Sequence, residues 1–374
     1  MKIIIATDKF KGSLTSMEAG ESIRSGLAQS EPNAAIEIFP MADGGDGFGK
    51  VMKYYLGTQT VHCQTVDPLL REITASWEWD AENKTAVIEL ASAAGLELLK
   101  ADERNPLHTS TFGAGLLIQD ALKKGAEKII LGLGGSATND AGMGILAAMD
   151  FIFKDERGNV LLPIGKSLHQ IKTIEIPSRL RSVQFTVACD VTNILYGLEG
   201  AAFVYAPQKG ADENEVKILD KGLRNIAALI LSQTRKDISA FPGSGAAGGV
   251  AAGLAAFFDI KVISGASIVM HASQMDKHLQ DTAIIITGEG RLDHQSANGK
   301  VVQQVAALGN RNQVPVVAVC GENTLDEKAI TALGLTAVYS LVDEKNNSAG
   351  ALANAGAQLS ALAALIAKDY CKNK

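Results

Sequence analysis

The sequence predicts an α/β protein in which a Rossmann-like (flavodoxin-like) parallel-sheet domain carries an inserted second α/β domain of mixed sheet. Three observations predict it. First, short runs rich in Ile and Val, each followed by a turn and a helical pattern, recur at Lys2 to Ala6, Ala35 to Phe39, Ala283 to Ile286, Pro315 to Val319 and Ala337 to Leu341. That alternation is the pattern of parallel strands joined by crossover helices. Second, these five runs lie at the two ends of the chain, so one doubly wound domain is assembled from both termini around an insert. Third, the texture between them changes: Glu72 to Trp79 and Thr85 to Leu90 alternate as antiparallel strands do, next to a Trp77/Trp79 face. The expected division is residues 1–65 and 281–374 for the Rossmann-like domain and 66–280 for the insert.

In chain order, the first helix opens with a capping box, Thr15 with Glu18 three residues on, and an apolar face follows at Ala19, Ile23 and Leu27. Helical patterns return at Thr111 to Lys124 and Ala141 to Met149. The uncharged stretch Ile238 to Phe258 is long enough to span a bilayer, but Pro242 and its glycines make it a loop entering a buried helix. A last helix shows Leu352, Ala355, Leu359, Leu362 and Ile366.

With 374 residues, 47% hydrophobic and 20% charged, the chain is expected to bury two cores and to fold without a partner. A net charge of −6 without any dense Lys/Arg block excludes the electrostatic footprint of a nucleic-acid or anionic-membrane binder. Cys63, Cys189, Cys320 and Cys371 form no CxxC pair and read as reduced thiols. The start, MKIIIATDKF, lacks the features of a signal peptide, so a cytoplasmic enzyme acting on a small molecule is expected; homo-oligomer formation stays open.

Six loops carry the candidate chemistry. GLGGSATND (Gly132 to Asp140) lies between a strand-like and a helix-like segment, the context in which backbone N–H groups hold phosphate or carboxylate. Gly132, Gly134 and Ala137 fit GxGxxA, a weak dinucleotide signal. Ser136, Thr138, Asn139 and Asp140, however, offer four adjacent polar side chains that suit an oxygen-rich substrate. MADGGDG places Asp43 and Asp46 among Gly44, Gly45 and Gly47 as metal ligands, or as caps of the next helix. ATDKFKGS brings Asp8, Lys9, Lys11 and Ser13 to the end of the first strand, where open α/β sheets bind ligands; Lys9 reads as solvated. ACDVTN ends a buried run with Asp190, a candidate proton acceptor, and Asn193. GSGAAGG offers backbone around Gly248, or merely a hinge. TGEGRLDHQSANGK packs Glu289, Arg291, Asp293, Ser296 and Lys300 into one strand-end loop, with His294 as a surface residue. Gly165-Lys166-Ser167 ends like a P-loop but has Val160 where its first glycine must be.

Taken in order, DKFKGSL, MADGGDG, RNPLHTSTFG, LGLGGSATNDAGMG, ACDVTN, PQKGA, GAAGG and TGEGRLDHQS resemble the bacterial-type (type 1) glycerate kinase family across essentially the whole chain. The chain departs from the family's usual pattern at Thr7 and Lys9, at Asp46 and at Ala297-Asn298-Gly299 before Lys300. The resemblance implies transfer of the ATP γ-phosphoryl to a hydroxyl of D-glycerate with magnesium, in the breakdown of sugar and organic acids, with 2-phosphoglycerate favoured over 3-phosphoglycerate. On that footing Asp190 is the expected base, with Lys11 and Arg291 completing the catalytic set. Asp8, Ser13, Ser136, Thr138, Asn139, Asp140 and Asn193 are expected on the substrate. Gly44, Gly45, Gly134, Gly135, Gly248, Glu289 and Lys300 are expected on ATP, and Asp43, Asp46 and Asp293 on Mg2+. An NAD-dependent hydroxy-acid dehydrogenase and a non-catalytic sugar-acid sensor are the alternatives.

Overall fold

A computed structural model describes residues 1–293, 300–342 and 354–370; His294, Ser296, Ala297, Asn298, Gly299, Leu352 and Cys371 lie outside them. The strands are β1 (Lys2–Thr7), β2 (Ala35–Ile38), β3 (Gln59–Val66), β4 (Glu72–Asp80), β5 (Thr85–Glu89), β6 (Lys128–Gly132) and β7 (Ile152–Lys154). They continue as β8 (Thr173–Glu175), β9 (Gln184–Ala188), β10 (Asp259–Ile263), β11 (Thr282–Leu292), β12 (Val316–Asn323) and β13 (Ala337–Ser340). No described helix is long and apolar enough to cross a membrane.

The chain divides into two compact units, Met1–Asp43 with Ser264–Lys374, and Gly44–Ile263. The first joint thus precedes β3 and the second follows β10, where the sequence had set 65/66 and 280/281. The reason is local: β3 runs antiparallel to β4 along its whole length, and β10 runs parallel to β9, so both belong to the second unit's sheet.

The first unit holds a five-stranded, wholly parallel sheet in the order β13-β12-β11-β1-β2. Counted within the unit this is the 2-1-3-4-5 order of flavodoxin-like folds, with the topological switch point between β1 and β11. Ile3 to Ile5 and Ile284 to Ile286 are fully or almost fully buried in it, and the helix Ser16–Ser30 buries Ala19, Ile23 and Leu27. The Thr15/Glu18 capping box is formed as expected. β11 runs six residues beyond the predicted Ile286, taking Thr287 to Leu292 into the sheet. Glycines permit that extension: a Cβ on Gly321 would lie 2.4 Å from the carbonyl oxygen of Gly290.

The second unit holds a six-stranded mixed sheet in the order β10-β9-β6-β5-β4-β3, antiparallel from β3 to β5 and parallel from β5 to β10. The Trp77/Trp79 pair packs edge to face on β4. The helices Phe112–Lys124, Met143–Ala148, Glu213–Thr234 and Ala246–Phe257 supply much of its core. β5, β6 and β9 run in register, Glu89 beside Gly132 and Gly132 beside Ala188, so the loops that leave them emerge at one edge.

Candidate active site

In the first unit the carboxyl ends of β1 and β11, at the switch point, open into a cavity of about 380 Å3. Asp8, Lys11, Ser13, Asp43, Glu289, Arg291, Asp293 and Lys300 line it together, so eight of the expected site residues from four stretches of sequence share one wall. Phe10, Leu341 and Val342 add an apolar surface. Lys9, read from sequence as solvated, also lines it, and its Nζ reaches Asp43 Oδ1 at 3.5 Å. Asp8 is buried and accepts the Lys9 main-chain N–H at 2.6 Å. Burial, then the charge of Asp43, pushes its carboxyl up to about 8. Arg291 is exposed and lies 3.6 Å from Glu322 and 4.0 Å from Asp293.

The second unit gathers the remaining candidates. Gly44 and Gly45 pack directly against Gly132 and Gly134: Gly134 donates its N–H to the Gly44 carbonyl at 3.2 Å, and a Cβ on it would meet Gly45 Cα at 2.3 Å. Glu89, which the sequence reading passed over, fastens the same turn by accepting the N–H groups of Gly47 and Gly49 at 3.3 and 2.7 Å. Asp43 and Asp46, expected as a metal pair, fall in different units, and Asp46 is exposed. Neither caps the helix Phe48–Leu56, whose N-cap is Gly47 in the left-handed region without a side-chain bond.

Beyond Gly135, which is exposed and has φ of +73°, the loop turns inward. Ser136, Thr138, Asn139 and Asp140 are all buried. Asp140 Oδ2 accepts from the Thr111 N–H and hydroxyl and from Gly144 N, and its Oδ1 from Gly142 N. Burial holds its carboxyl above the usual range. Four protein donors leave this carboxylate little capacity for a ligand, which departs from the substrate role expected of it. Thr138 Oγ1 and both polar atoms of the Asn139 amide are buried without a protein partner, so they retain theirs. Gly248 lies beneath the loop: at φ of +71° a Cβ would meet the Thr138 carbonyl oxygen at 2.3 Å and Asn139 Cα at 2.4 Å. That is a seat for the loop, not a surface for nucleotide.

Asp190 follows β9 and is half-buried. Asn193 uses both ends of its amide on nearby chain, donating to the Glu199 carbonyl at 2.8 Å and accepting at 2.5 Å from the hydroxyl of Tyr205, at the end of the helix Ala201–Tyr205.

Lys209 is a second residue, beside Glu89, that sequence reasoning missed. It lies in a short turn, Pro207–Lys209, and is 4% exposed. Its Nζ donates to Ser136 Oγ and to the Thr138 carbonyl, both at 2.8 Å. Burial pushes its amine down to about 7, against the pull of Asp140. The motif PQKGA was visible in the sequence, but nothing in a Lys flanked by Gln and Gly announces burial.

The donor chemistry fits the groups that the sequence implied. Magnesium takes one or two carboxylates and completes its shell with phosphate oxygens and water. The cavity offers Asp8, Asp43, Glu289 and Asp293, while among the described residues no three His, Cys, Asp or Glu side chains form a self-sufficient cage. Lys11 and Lys300 line the same cavity as Phe10, Leu341 and Val342, so positive charge and apolar side chains meet there.

Comparison with known proteins agrees with this layout. The model of the glycerate kinase family matches residues 3–371. The chain is 40% identical over 346 residues to a glycerate kinase of Halalkalibacterium halodurans, covering 91% of this chain and 90% of that one. It is 40% identical over 345 residues to the glycerate 2-kinase of Escherichia coli, covering 91% of each. A crystal structure from Salmonella typhimurium LT2, of a chain assigned as glycerate kinase 2, superposes with a TM-score of 0.83 at 37% identity, covering 99% of this chain and 98% of that one. The dehydrogenase and sensor alternatives fall away, and the chain belongs to the glycerate kinase family, kinases that phosphorylate an alcohol group.

Proposed function

We propose that the chain transfers the γ-phosphoryl of ATP to a hydroxyl of D-glycerate, with the 2-hydroxyl favoured. The observation that carries this reading is the switch-point cavity of the first unit, where Lys11 and Lys300 stand with Asp43 and Glu289 beside Phe10 and Val342. Cations, hard oxygen ligands and an apolar surface are the three things that a nucleotide triphosphate with magnesium needs. The name of the Escherichia coli relative, glycerate 2-kinase, supports the choice of hydroxyl.

Phosphoryl transfer needs positioning and charge neutralisation more than covalent chemistry. In this reading Lys11 and Lys300 hold phosphate oxygens, and Asp43 with Glu289 holds magnesium, which when bound neutralises charge on the transferring group. Arg291 and Asp293 order the rim of that cavity. Ser136, Thr138 and Asn139 hold the glycerate carboxylate, and Asp190 takes the proton of the reacting hydroxyl. Asp140, Gly248 and Asn193 shape the loops. Gly44, Gly45 and Gly134 let two turns approach closely enough to present their backbone. The nucleotide reading rests on the first unit's cavity, and the substrate reading on the unpartnered polar atoms of Thr138 and Asn139.

The test is ADP release with D-glycerate, L-glycerate, glycolate and tartrate, followed by phosphorus NMR of the product. Turnover of D-glycerate to 2-phosphoglycerate is expected. Silence with all four acids removes the reading, and 3-phosphoglycerate corrects the hydroxyl.

A further inference from the structure

Lys209 packs against the loop to which the substrate carboxylate has been assigned, and its surroundings do not account for its charge. It is buried, with two acceptors, the hydroxyl of Ser136 and the carbonyl of Thr138, and both are neutral. The opposite charge that acts on it is Asp140, whose carboxylate already accepts four hydrogen bonds from Thr111, Gly142 and Gly144. Taking an ammonium out of water is expensive unless an anion compensates it. A post needed only to hold a loop would be better made from a neutral donor. The arrangement is that of a cation waiting for a second negative group.

The hydrogen bond to Ser136 supplies a route to that group. A hydroxyl has one proton and two acceptor positions. Once Ser136 Oγ accepts from Lys209, its own proton is free to donate elsewhere, and the positive charge behind it strengthens that donation. The neighbouring Thr138 hydroxyl and Asn139 amide, buried without protein partners, add further polar atoms on the same short loop. We propose that Lys209 is a positioning residue for the acid end of the substrate: through Ser136 it orients and charges a hydrogen-bond donor aimed at the glycerate carboxylate. This rests on the reading of Ser136 to Asn139 as the carboxylate seat. It predicts that Lys209 and Ser136 act as one unit, and that their contribution is made to ground-state binding of the acid.

The experiment is a double-mutant cycle with Ser136→Ala, Lys209→Met and the pair, measuring kcat and the KM for D-glycerate and for ATP, with thermal melting as the check on folding. Each single variant should raise the KM for D-glycerate about tenfold, leave the KM for ATP within about twofold and change kcat little. The double variant should be no worse than the poorer single one, because each change breaks the same relay. If Lys209→Met does not fold, Lys209→Gln, which keeps a neutral donor, should still raise the KM for D-glycerate. Three results overturn the proposal: a lysine variant with unchanged KM for D-glycerate, a loss spread equally over both substrates, or singles whose effects multiply in the pair. A Ser136→Ala enzyme with wild-type KM would instead remove the carboxylate seat itself, a failure distinguishable because it needs no lysine variant to be seen.

Discussion

The carboxylate of Asp140 accepts both donors of Thr111, its main-chain N–H and its hydroxyl, each at 2.8 Å. The same hydroxyl accepts the N–H of Ile145 at 3.1 Å, so one buried acid and one threonine join the start of the helix Phe112–Lys124 to that of Met143–Ala148. Both helices begin with unsatisfied N–H groups, and an acid there answers them and the helix dipole together.

Asp140 is therefore expected to behave as a strut. Asp140→Asn should lower the unfolding free energy by about 2–4 kcal/mol, since an amide can satisfy fewer of the four donors and leaves some buried without an acceptor. Denaturant melts would show it as a fall in midpoint at unchanged slope. A variant of normal stability with a raised KM for D-glycerate would return Asp140 to the substrate contacts.

Gly248→Ala tests whether the loop needs its seat. The substitution places a Cβ 2.3 Å from the Thr138 carbonyl oxygen on a residue with φ of +71°. Left-handed backbone and overpacking each cost on the order of 1–3 kcal/mol. The expected outcome is a loss of about 2–5 kcal/mol in stability, with kcat/KM for D-glycerate reduced at temperatures where the protein is still folded. Full activity in a stable variant would mean that the loop's position is set elsewhere.

Burial of Lys209 has a signature in the pH dependence of stability. Its amine is pushed down to about 7 in the native protein, while in the unfolded chain it titrates near its ordinary value of about 10.4. Between those values the unfolded state binds more protons, so the Lys209 contribution to stability rises as pH increases from 7 towards 10 and is at its worst below 7. The stability of Lys209→Met relative to the wild type should accordingly fall with rising pH across that window. Urea melts of both proteins from pH 6 to 10 would reveal it, and a flat difference would mean that the native amine is not depressed.

How much of this was legible in the sequence depends on how local the cause is. The Thr15/Glu18 box and the Ile-rich cores of β1 and β11 are stated within a few residues, and the structure forms them as read. β3 was not legible, because Gln59–Val66 alternates weakly and its pairing with β4 decides its place. Among site residues the limit was the partner. Asp140 looks like a ligand until Thr111, 29 positions earlier, takes its carboxylate; Lys209 looks like surface until Ser136, 73 positions earlier, covers it. Strand ends announce candidates, whereas burial and saturation are properties of the fold.

Lys11 and Lys300 line the first unit's cavity, and Lys300 stands at the N-cap of the helix Val301–Arg311, where backbone N–H groups also face anions. Changing either lysine to Met should raise the KM for ATP about tenfold or more, matching the roughly 1.5 kcal/mol of a charge-assisted hydrogen bond. The KM for D-glycerate should move much less. An effect of equal size on both substrates would count against the assignment of this cavity to the nucleotide.

Asp190 is proposed to carry the one proton transfer that the reaction requires. It follows β9 at the sheet edge from which the Gly132 to Asp140 loop also leaves, since Gly132 pairs with Ala188 two residues before it. Asp190→Asn preserves shape and removes basicity, so kcat should fall by about 100-fold or more while the KM for D-glycerate changes little. Because dissociative phosphoryl transfer demands little of a base, a fall of only a few-fold would reassign Asp190 to orientation of the hydroxyl, and leave deprotonation to follow bond formation.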